Sequence, residues 1–432
     1  MDFVDRLPLY PLVFTFLVYP AAAWVLLRHT PKKITMPCFC LLNLSGLAIL
    51  CWLSGAIGVR VKVALAYSRI PLLFFALYVG VVVVNFLLLR LSRREGTIWP
   101  AAAFSTPLLF LAYVKFGSNS LNPFTPILAP IGLYRFAPFF IGVSYLSFRL
   151  VQLVQEVRNE IVEMPTLSEY LSFAFFVPTL SVGPISPYST FIASVRNPDR
   201  QKTPVARSLL RIVVGFTKYI FLGSLVAQFT YAGLLRDGHP HELIDLLIAI
   251  PAYAIYLYCN FSGYCDMAIG VSGLLGIEVA ENFDRPFLTR NLQEFWTRWH
   301  MTLSTWFRDL LFTPLSKWMM RRFGPKSANH VIAVSIMITF LVVGIWHGEG
   351  TNFLVFGALQ GLGIVTVHYY TSWLKRRLGR DGFAAYRKSW LVKAIATCAT
   401  FAYFSFSLFF FANNWKQMRA IFDVLQTTGA GR

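Results

Sequence analysis

The sequence predicts an all-α integral membrane protein with about eleven transmembrane helices and additional re-entrant or amphipathic helices. Of its 432 residues, 56% are hydrophobic and only 14% are charged, whereas roughly a quarter of the residues of a soluble domain are charged. Several apolar runs approach the roughly 20 residues that a helix needs to cross the hydrocarbon core. The 40 phenylalanines and 11 tryptophans suit lipid-facing surfaces and interfacial belts.

The chain divides into apolar segments that are candidate spans. They are residues 9–27, 37–59, 70–89, 98–114, 137–155, 167–186, 208–231, 243–262, 331–347, 352–370 and 390–412. No segment between them has room for a soluble domain of useful size, so we expect residues 1–432 to form a single membrane domain. The basic loops do not alternate consistently if every span crosses fully. We therefore expect a partial or re-entrant segment within residues 256–325.

The chain is strongly basic, with 39 Lys and Arg against 20 Asp and Glu and a net charge of +19. No nucleic-acid recognition module interrupts the apolar segments, so we do not expect a nucleic acid partner. Basic loops are instead expected to contact anionic lipid and to set orientation. The six cysteines show no disulfide or metal-site spacing, and no metal site is expected.

Side chains suited to catalysis are concentrated between residues 256 and 348. Residues 294–309 read EFWTRWHMTLSTWFRD, and His347 follows in the sequence GIWHG at the end of an apolar run. As a continuous helix, residues 294–309 would place His300 and Ser304 one turn apart on one side. The same helix would form an apolar stripe from Trp296, Trp299, Leu303, Trp306 and Leu310.

These residues suit proton transfer and oxyanion stabilisation. A neutral imidazole removes a proton effectively near pH 7, and a cationic or hydrogen-bonding group must stabilise the tetrahedral oxyanion of acyl transfer. We expect His347 to be the catalytic base and His300 a second catalytic residue that positions a group or handles a proton. Further residues expected to line the site are Ser304, Arg308, Asp309, Trp346, Arg298, Asp266 and Arg149.

Other interpretations of the same residues remain open. A histidine within a membrane can be a hydrogen-bonded packing residue, and an arginine such as Arg149 can extend to the headgroups instead of facing a cavity. Ser304 lacks the Gly-x-Ser-x-Gly turn of a serine nucleophile. A transporter also contains charged and broken helices, but we find no inverted repeat.

A set of short motifs resembles the membrane-bound O-acyltransferase (MBOAT) family. In chain order they are Phe261–Tyr264, Asp266–Gly270, Glu281–Phe283, Arg285–Phe287, Glu294–Trp296, Arg298–His300, Ser304, Arg308–Asp309 and Gly344–Gly348. The resemblance is strongest over 256–348 and extends over about 137–425, with residues 1–136 as N-terminal helices. It implies a ring of tilted helices around a central funnel, with His347 and His300 at the family's two histidine positions, in the bacterial cytoplasmic (inner) membrane.

Within this family the chain looks most similar to the branch that takes part in teichoic-acid D-alanylation. The segment from Gly142 to Arg149 and the length favour that branch, and PLSK at 314–317 departs from the alginate-type O-acetylation branch. Thr305 and the pair Leu310–Leu311 depart from the D-alanylation pattern.

The favoured branch implies an enzyme that moves an acyl group, D-alanyl being favoured, to a hydroxyl of a cell-envelope polymer or of a membrane-anchored relay partner. The resemblance implies no bound cofactor, but a donor carried as a phosphopantetheine thioester on an acyl carrier protein. A basic cytoplasmic face attracts an acidic carrier, so we expect Arg321, Arg322 and Lys326 to dock it. We assign the enzyme to O-acyltransferases of groups other than aminoacyl or D-alanyl. The alternatives are acetyl transfer to an alginate-like exopolysaccharide, a non-catalytic scaffold and a transporter.

Overall fold

The computed structural model describes residues 9–58, 70–92, 97–116, 142–196, 204–234 and 242–429. Within these ranges the chain is helical, and the β-type pairing consists of one isolated antiparallel bridge between Phe283 and Trp299. The prediction of an all-α fold is therefore confirmed.

Eight helices in the described ranges are long and apolar enough to cross a membrane. They are Pro11–His29, Lys32–Cys51, Ile98–Phe116, Val205–Ala227, Leu243–Leu274, Pro325–His347, Thr351–Lys388 and Trp390–Ala412. A shorter apolar helix covers Phe75–Leu91. The prediction of a multi-pass membrane protein is confirmed, while the count of eleven spans is not.

The internal contacts group the chain into two compact units. We call residues 9–216 and 264–280 the N-terminal unit, and residues 217–263 and 281–429 the histidine unit, because the second contains both His300 and His347. Both units are described below within the ranges that the structure covers. The expectation of a single domain stays a prediction.

The N-terminal unit is built on packed helices with polar side chains bonded inside them. Its principal helices are Lys32–Gly58, Ile70–Leu91, Ile98–Phe116, Val143–Arg158, Leu167–Ala174, Tyr188–Arg196 and Val205–Phe216. The hydroxyl of Tyr19 donates to Oδ1 of Asn43 over 2.8 Å, and Nδ2 of Asn85 donates to the Ala103 carbonyl over 2.7 Å. Such bonds satisfy polar groups that would otherwise be costly to bury.

The predicted span at 167–186 is wrong. A capping box between Thr166 and Glu169 starts a helix that ends at Ala174, and a short 3-10 turn, Val177–Thr179, follows. The run is apolar because residues such as Phe175 and Val177 are buried in the protein core. Hydropathy alone does not distinguish burial in protein from exposure to lipid.

Three helices form the framework of the histidine unit: Ala328–His347, Thr351–Lys388 and Trp390–Ala412. The short helix Leu292–Trp296 packs on the second and third of them. Between these elements lies a buried core that we call the aromatic cluster, with the members Ala254, Leu292, Phe295, Trp296, Trp299, Phe356, Ile364, Phe404, Leu408 and Phe411. His347 contacts two members of this cluster, Phe356 and Phe411.

The polar stretch at 260–270 lies inside a helix that runs without a break over Leu243–Leu274. The expectation of one helix over residues 294–309 needs correction. Residues 294–309 are not one continuous helix, because the helix Leu292–Trp296 ends before Thr297 and a new helix, Met301–Phe307, begins after His300.

Candidate active site

His347 is the last residue of the membrane-spanning helix Ala328–His347. Gly348, which follows it, has an extended backbone (φ 178°, ψ 175°) and ends the helix. At Gly344 a Cβ atom would lie 2.5 Å from the Phe353 carbonyl oxygen, and at Gly357 a Cβ would lie 2.4 Å from the Phe340 carbonyl oxygen. Only residues without a side chain permit this helix–helix approach. Gly344, three residues before His347, therefore lets the end of this helix pack closely against the helix Thr351–Lys388.

Aromatic rings surround the imidazole of His347. Its ring centroid lies 4.9 Å from that of Phe411 and 5.8 Å from that of Phe356, both in edge-on geometry. The ring centroid of Trp346 lies 4.5 Å from that of His347. His347 remains partly exposed, although its Nδ1 atom is buried. His347 lies at the C-terminal end of its helix, where the backbone carries a partial negative charge.

His300 lies in the segment 298–301, which pairs with residues 282–284. We call these two paired segments the strap. The Asp284 amide donates to the Arg298 carbonyl and the Met301 amide to the Asn282 carbonyl, each over 3.0 Å. This pairing holds His300 in the left-handed conformation (φ 44°, ψ 53°). A non-glycine residue in that region is uncommon and is retained only where surrounding contacts impose it.

The Asn282 side chain sets the orientation of the His300 ring. Its Oδ1 accepts from the amide of Thr302 over 3.2 Å and from the hydroxyl of Thr302 over 2.8 Å, and lies 3.3 Å from Nδ1 of His300. Because this oxygen is an acceptor, the contact favours the tautomer with the proton on Nδ1. That tautomer leaves Nε2 as the acceptor nitrogen of the ring.

His300 is 5% exposed, and its ring meets Phe261 edge-on at 4.6 Å. Burial disfavours the charged form and lowers the pKa of His300, which lies outside the membrane-spanning helices, from 6.5 to about 3. The imidazole is therefore neutral across the physiological range. Such a ring can hydrogen-bond and orient a group, but it does not store a proton near pH 7.

His347 contacts the aromatic cluster directly, and His300 follows one of its members in the chain. Phe356 and Phe411, which touch His347, are members of it, and so is Trp299, which precedes His300 in the chain. Two buried hydrogen bonds stabilise the cluster. Nε1 of Trp296 donates to Oε1 of Gln360 over 3.0 Å, and Nε2 of Gln360 donates to the Ser407 hydroxyl. Sequence reasoning did not single out Asn282 or Gln360. The motif at 281–283 contains Asn282, but Gln360 offered no local signal.

The other expected site residues of the histidine unit divide into partly buried and exposed groups. Trp346 is buried, and the partly buried Ser304 donates its hydroxyl to the Trp299 carbonyl over 3.3 Å. Arg298 pairs with Glu294 at 3.0 Å. Arg308 and Asp309 are exposed and pair with each other at 2.8 Å. Because both side chains are exposed, this ion pair is a surface contact.

Asp266 and Arg149 belong to the N-terminal unit. Arg149 is fully buried and donates to the carbonyl oxygens of Phe173 and Thr179 and to the Thr179 hydroxyl. Asp266 pairs with Arg211 at 3.0 Å. Through these contacts Arg149 ties the helix Val143–Arg158 to the end of the helix Leu167–Ala174 and to the turn Val177–Thr179.

The expected carrier dock is accessible. Arg321 and Arg322 lie in the last turn of the helix Thr313–Phe323, and Lys326 follows Gly324; all three side chains are exposed. Trp318 and Phe323 on the same helix are also exposed. Within the described residues, no group of three or more His, Cys, Asp or Glu side chains is arranged to hold a metal ion.

Comparison with known proteins gives consistent results. Residues 41–411 match the family model for membrane-bound O-acyltransferases. A teichoic acid D-alanyltransferase from Bacillus subtilis is 28% identical over 72% of this chain and 78% of its own length. A second, from Streptococcus thermophilus, is 36% identical over 55% of this chain and 58% of its own. A probable alginate O-acetylase from Pseudomonas aeruginosa is 27% identical over 67% of this chain and 56% of its own.

These comparisons confirm the resemblance and the order of the two branches among the relatives. D-alanyl transfer by the first two relatives does not fit our assignment to a class that excludes D-alanyl groups, and we withdraw that exclusion. The helices and the relatives together place the chain in the bacterial cytoplasmic membrane as a multi-pass acyltransferase. The family model covers most of the sequence, and the chain therefore belongs to the membrane-bound O-acyltransferase family.

Proposed function

We propose that this protein transfers an acyl group, with D-alanyl as the favoured group, from the thioester of an acyl carrier protein. The acceptor is a hydroxyl of a cell-envelope polymer or of a membrane-anchored relay partner. The observation that carries the proposal is the position of His347 at the end of a membrane-spanning helix, against Phe411 and Phe356. A proton-accepting imidazole among aromatic rings can take the proton of a hydroxyl where water is scarce. The names of the teichoic-acid relatives support the choice of D-alanyl.

His347 acts as general base in this proposal. It removes the proton of the acceptor hydroxyl as that oxygen attacks the thioester carbonyl, and a tetrahedral oxyanion forms. The intermediate collapses by breaking the carbon–sulfur bond. The thiolate of the phosphopantetheine arm leaves and takes the proton from the imidazolium, so that His347 ends the cycle neutral. The surrounding aromatic rings limit access of water, which would hydrolyse the thioester.

His300 is the positioning partner. Its low pKa keeps the ring neutral, and the Asn282 contact holds its tautomer. A neutral, oriented imidazole suits hydrogen bonding to a reactant hydroxyl or carbonyl better than proton storage. The role we assign to His300 is therefore narrower than that of a second proton handler.

The donor is proposed to dock at the basic side chains of Arg321, Arg322 and Lys326. These charges are exposed, and complementary charge speeds the encounter with an acidic carrier. The phosphopantetheine arm belongs to the carrier, so no cofactor resident in this chain enters the scheme.

The experiment uses the full chain reconstituted in membranes with purified carrier protein loaded with D-alanine. The comparison is between the parent, His347→Ala and His330→Ala, since His330 is an exposed histidine near the other end of the same helix. We expect transfer by the parent and by the His330 variant and loss of at least about a hundredfold with His347→Ala. Undiminished transfer by a correctly folded His347 variant would make the chain a scaffold or place the base elsewhere.

Acetyl transfer to an exopolysaccharide is the second candidate, and the similarity to alginate O-acetylases favours it. Replacing D-alanine with acetate on the thioester in the same membranes distinguishes the two donors. A stable acyl adduct trapped on the protein would contradict direct transfer to the acceptor.

A further inference from the structure

A basic hairpin joins the last two long helices of the histidine unit. The helix Thr351–Lys388 has a kink at Gly379 (φ 67°, ψ −173°), and Ser389 caps the next helix by accepting from the Val392 amide. Across the kink, the Tyr370 and Tyr386 hydroxyls lie 3.2 Å apart, and Nζ of Lys375 lies 5.5 Å from the Phe383 ring centroid. We call residues 372–391 the basic hairpin.

The lengths of the two helices place this hairpin at the membrane surface. A helix crosses the hydrocarbon core in about 20 residues. Counted forward from Thr351, the crossing ends at about residue 371, and counted back from Ala412 it ends at about residue 392. The Asn352 side chain donates to the Phe410 carbonyl over 3.0 Å, so the two starting points lie side by side. Both counts therefore leave the same segment outside the hydrocarbon.

The side chains of the hairpin match a bilayer interface. The sequence of the hairpin contains six basic residues against a single acid, Asp381. Trp373 and Trp390 are 52% and 77% exposed at its two ends, where tryptophan is favoured at headgroup level. Arg376, Arg377 and Arg380 are exposed around the kink. Arginine forms paired hydrogen bonds with phosphate.

The hairpin is also held in a fixed shape. Nη1 of Arg290 donates to the Arg387 carbonyl over 3.3 Å, which ties the hairpin to the chain that leads to His300. The exposed tryptophans at the two ends of the hairpin match the acyl boundary beneath a headgroup. From these observations we infer that the basic hairpin is a binding site for the phosphate headgroups of anionic phospholipids.

The test measures lipid binding by native mass spectrometry of the full-length protein in mixed micelles of phosphatidylglycerol and phosphatidylcholine. The variant is Arg376→Gln/Arg377→Gln/Arg380→Gln. The control, Arg321→Gln/Arg322→Gln/Lys326→Gln, removes the same number of exposed positive charges elsewhere. We expect the hairpin variant to bind phosphatidylglycerol at least about tenfold more weakly than the parent. Phosphatidylcholine binding should be unchanged, and the control should retain phosphatidylglycerol binding.

Equal phosphatidylglycerol binding by parent and hairpin variant would overturn the inference, as would an equal loss in the control. Loss of carrier-protein binding with intact phosphatidylglycerol binding in the hairpin variant would identify a protein dock instead. Single Arg376→Gln and Arg377→Gln variants repeat the test if the triple variant does not fold. This outcome is independent of acyl transfer, so its failure leaves the proposed function standing.

Discussion

Nδ1 of His300 lies 3.3 Å from Oδ1 of Asn282, across a pairing of chain segments 18 residues apart in sequence. The same oxygen receives two hydrogen bonds from Thr302. One amide therefore sets the ring orientation and supports the first turn of the helix Met301–Phe307. The conformation of His300 depends on a residue outside its own segment.

Asn282→Leu should lower acyl transfer at least about tenfold, because the His300 tautomer and the strap lose their acceptor at a cost of about 1–3 kcal/mol. Asn282→Asp keeps an acceptor oxygen and should restore part of the rate. The measurement is the transfer rate of folded, reconstituted protein. A surface change, Asn159→Ala, is the control. Full activity of the leucine variant would contradict a positioning role for Asn282.

The stability of the histidine unit should depend on pH through His300. Its pKa is about 3 in the folded protein and 6.5 ordinarily, so below pH 6.5 the unfolded chain binds a proton that the folded chain does not. The free energy of unfolding therefore falls as pH drops from 6.5 towards 3, by about 1.4 kcal/mol per unit inside that window, and is insensitive to this group above it.

Unfolding midpoints of the parent and of His300→Gln, measured from pH 7.5 to 5, test this expectation. The variant should show the shallower slope, while His29→Gln, which removes an exposed histidine, should keep the slope of the parent. Identical slopes for parent and His300→Gln would assign the dependence to other groups.

Gly344→Ala should destabilise the helix pair that carries His347. The added Cβ would lie 2.5 Å from the Phe353 carbonyl oxygen, and backbone cannot move aside as a side chain end can. We expect a loss of about 1–3 kcal/mol with reduced activity, measured as a lower unfolding midpoint and a lower transfer rate.

Gly80→Ala provides the matched control, since a Cβ there meets nothing within 4 Å. Gly80 lies inside the helix Ile70–Leu91, where alanine is the better helix former, so its stability should be unchanged or slightly higher. A tolerated Gly344→Ala would show that the two helices can separate without consequence.

Gln360→Leu should destabilise the aromatic cluster by about 1–3 kcal/mol for each buried partner that it leaves without its bond. Nε1 of Trp296 loses its acceptor, whereas the Ser407 hydroxyl still donates to the Phe404 carbonyl. Trp296→Phe/Gln360→Leu removes donor and acceptor together, so its loss should be smaller than the sum of the two single losses. Additive losses in unfolding midpoints would mean that the bond contributes little.

The sequence by itself determined the class of protein and its family. Its few charges and long apolar runs are properties of composition, and they require membrane helices because lipid offers no hydrogen bonds to an open backbone. The short motifs between Phe261 and Gly348 identified the family from local residue order, and the family model agrees. The apolar run that ends at residue 347 predicted a helix end at His347, and the structure ends the helix there.

Only the tertiary structure decided the local geometry around these residues. The stripe from Trp296 to Trp306 keeps helical spacing on both sides of a break, so periodicity predicted one helix where pairing with Asn282 and Asp284 imposes a turn. Gln360 meets Trp296 across 64 residues, a contact that no local pattern encodes. The buried apolar side chains of residues 167–186 pack against other parts of the protein and not against lipid. In each case the deciding partner is distant in sequence, and only folding brings it near.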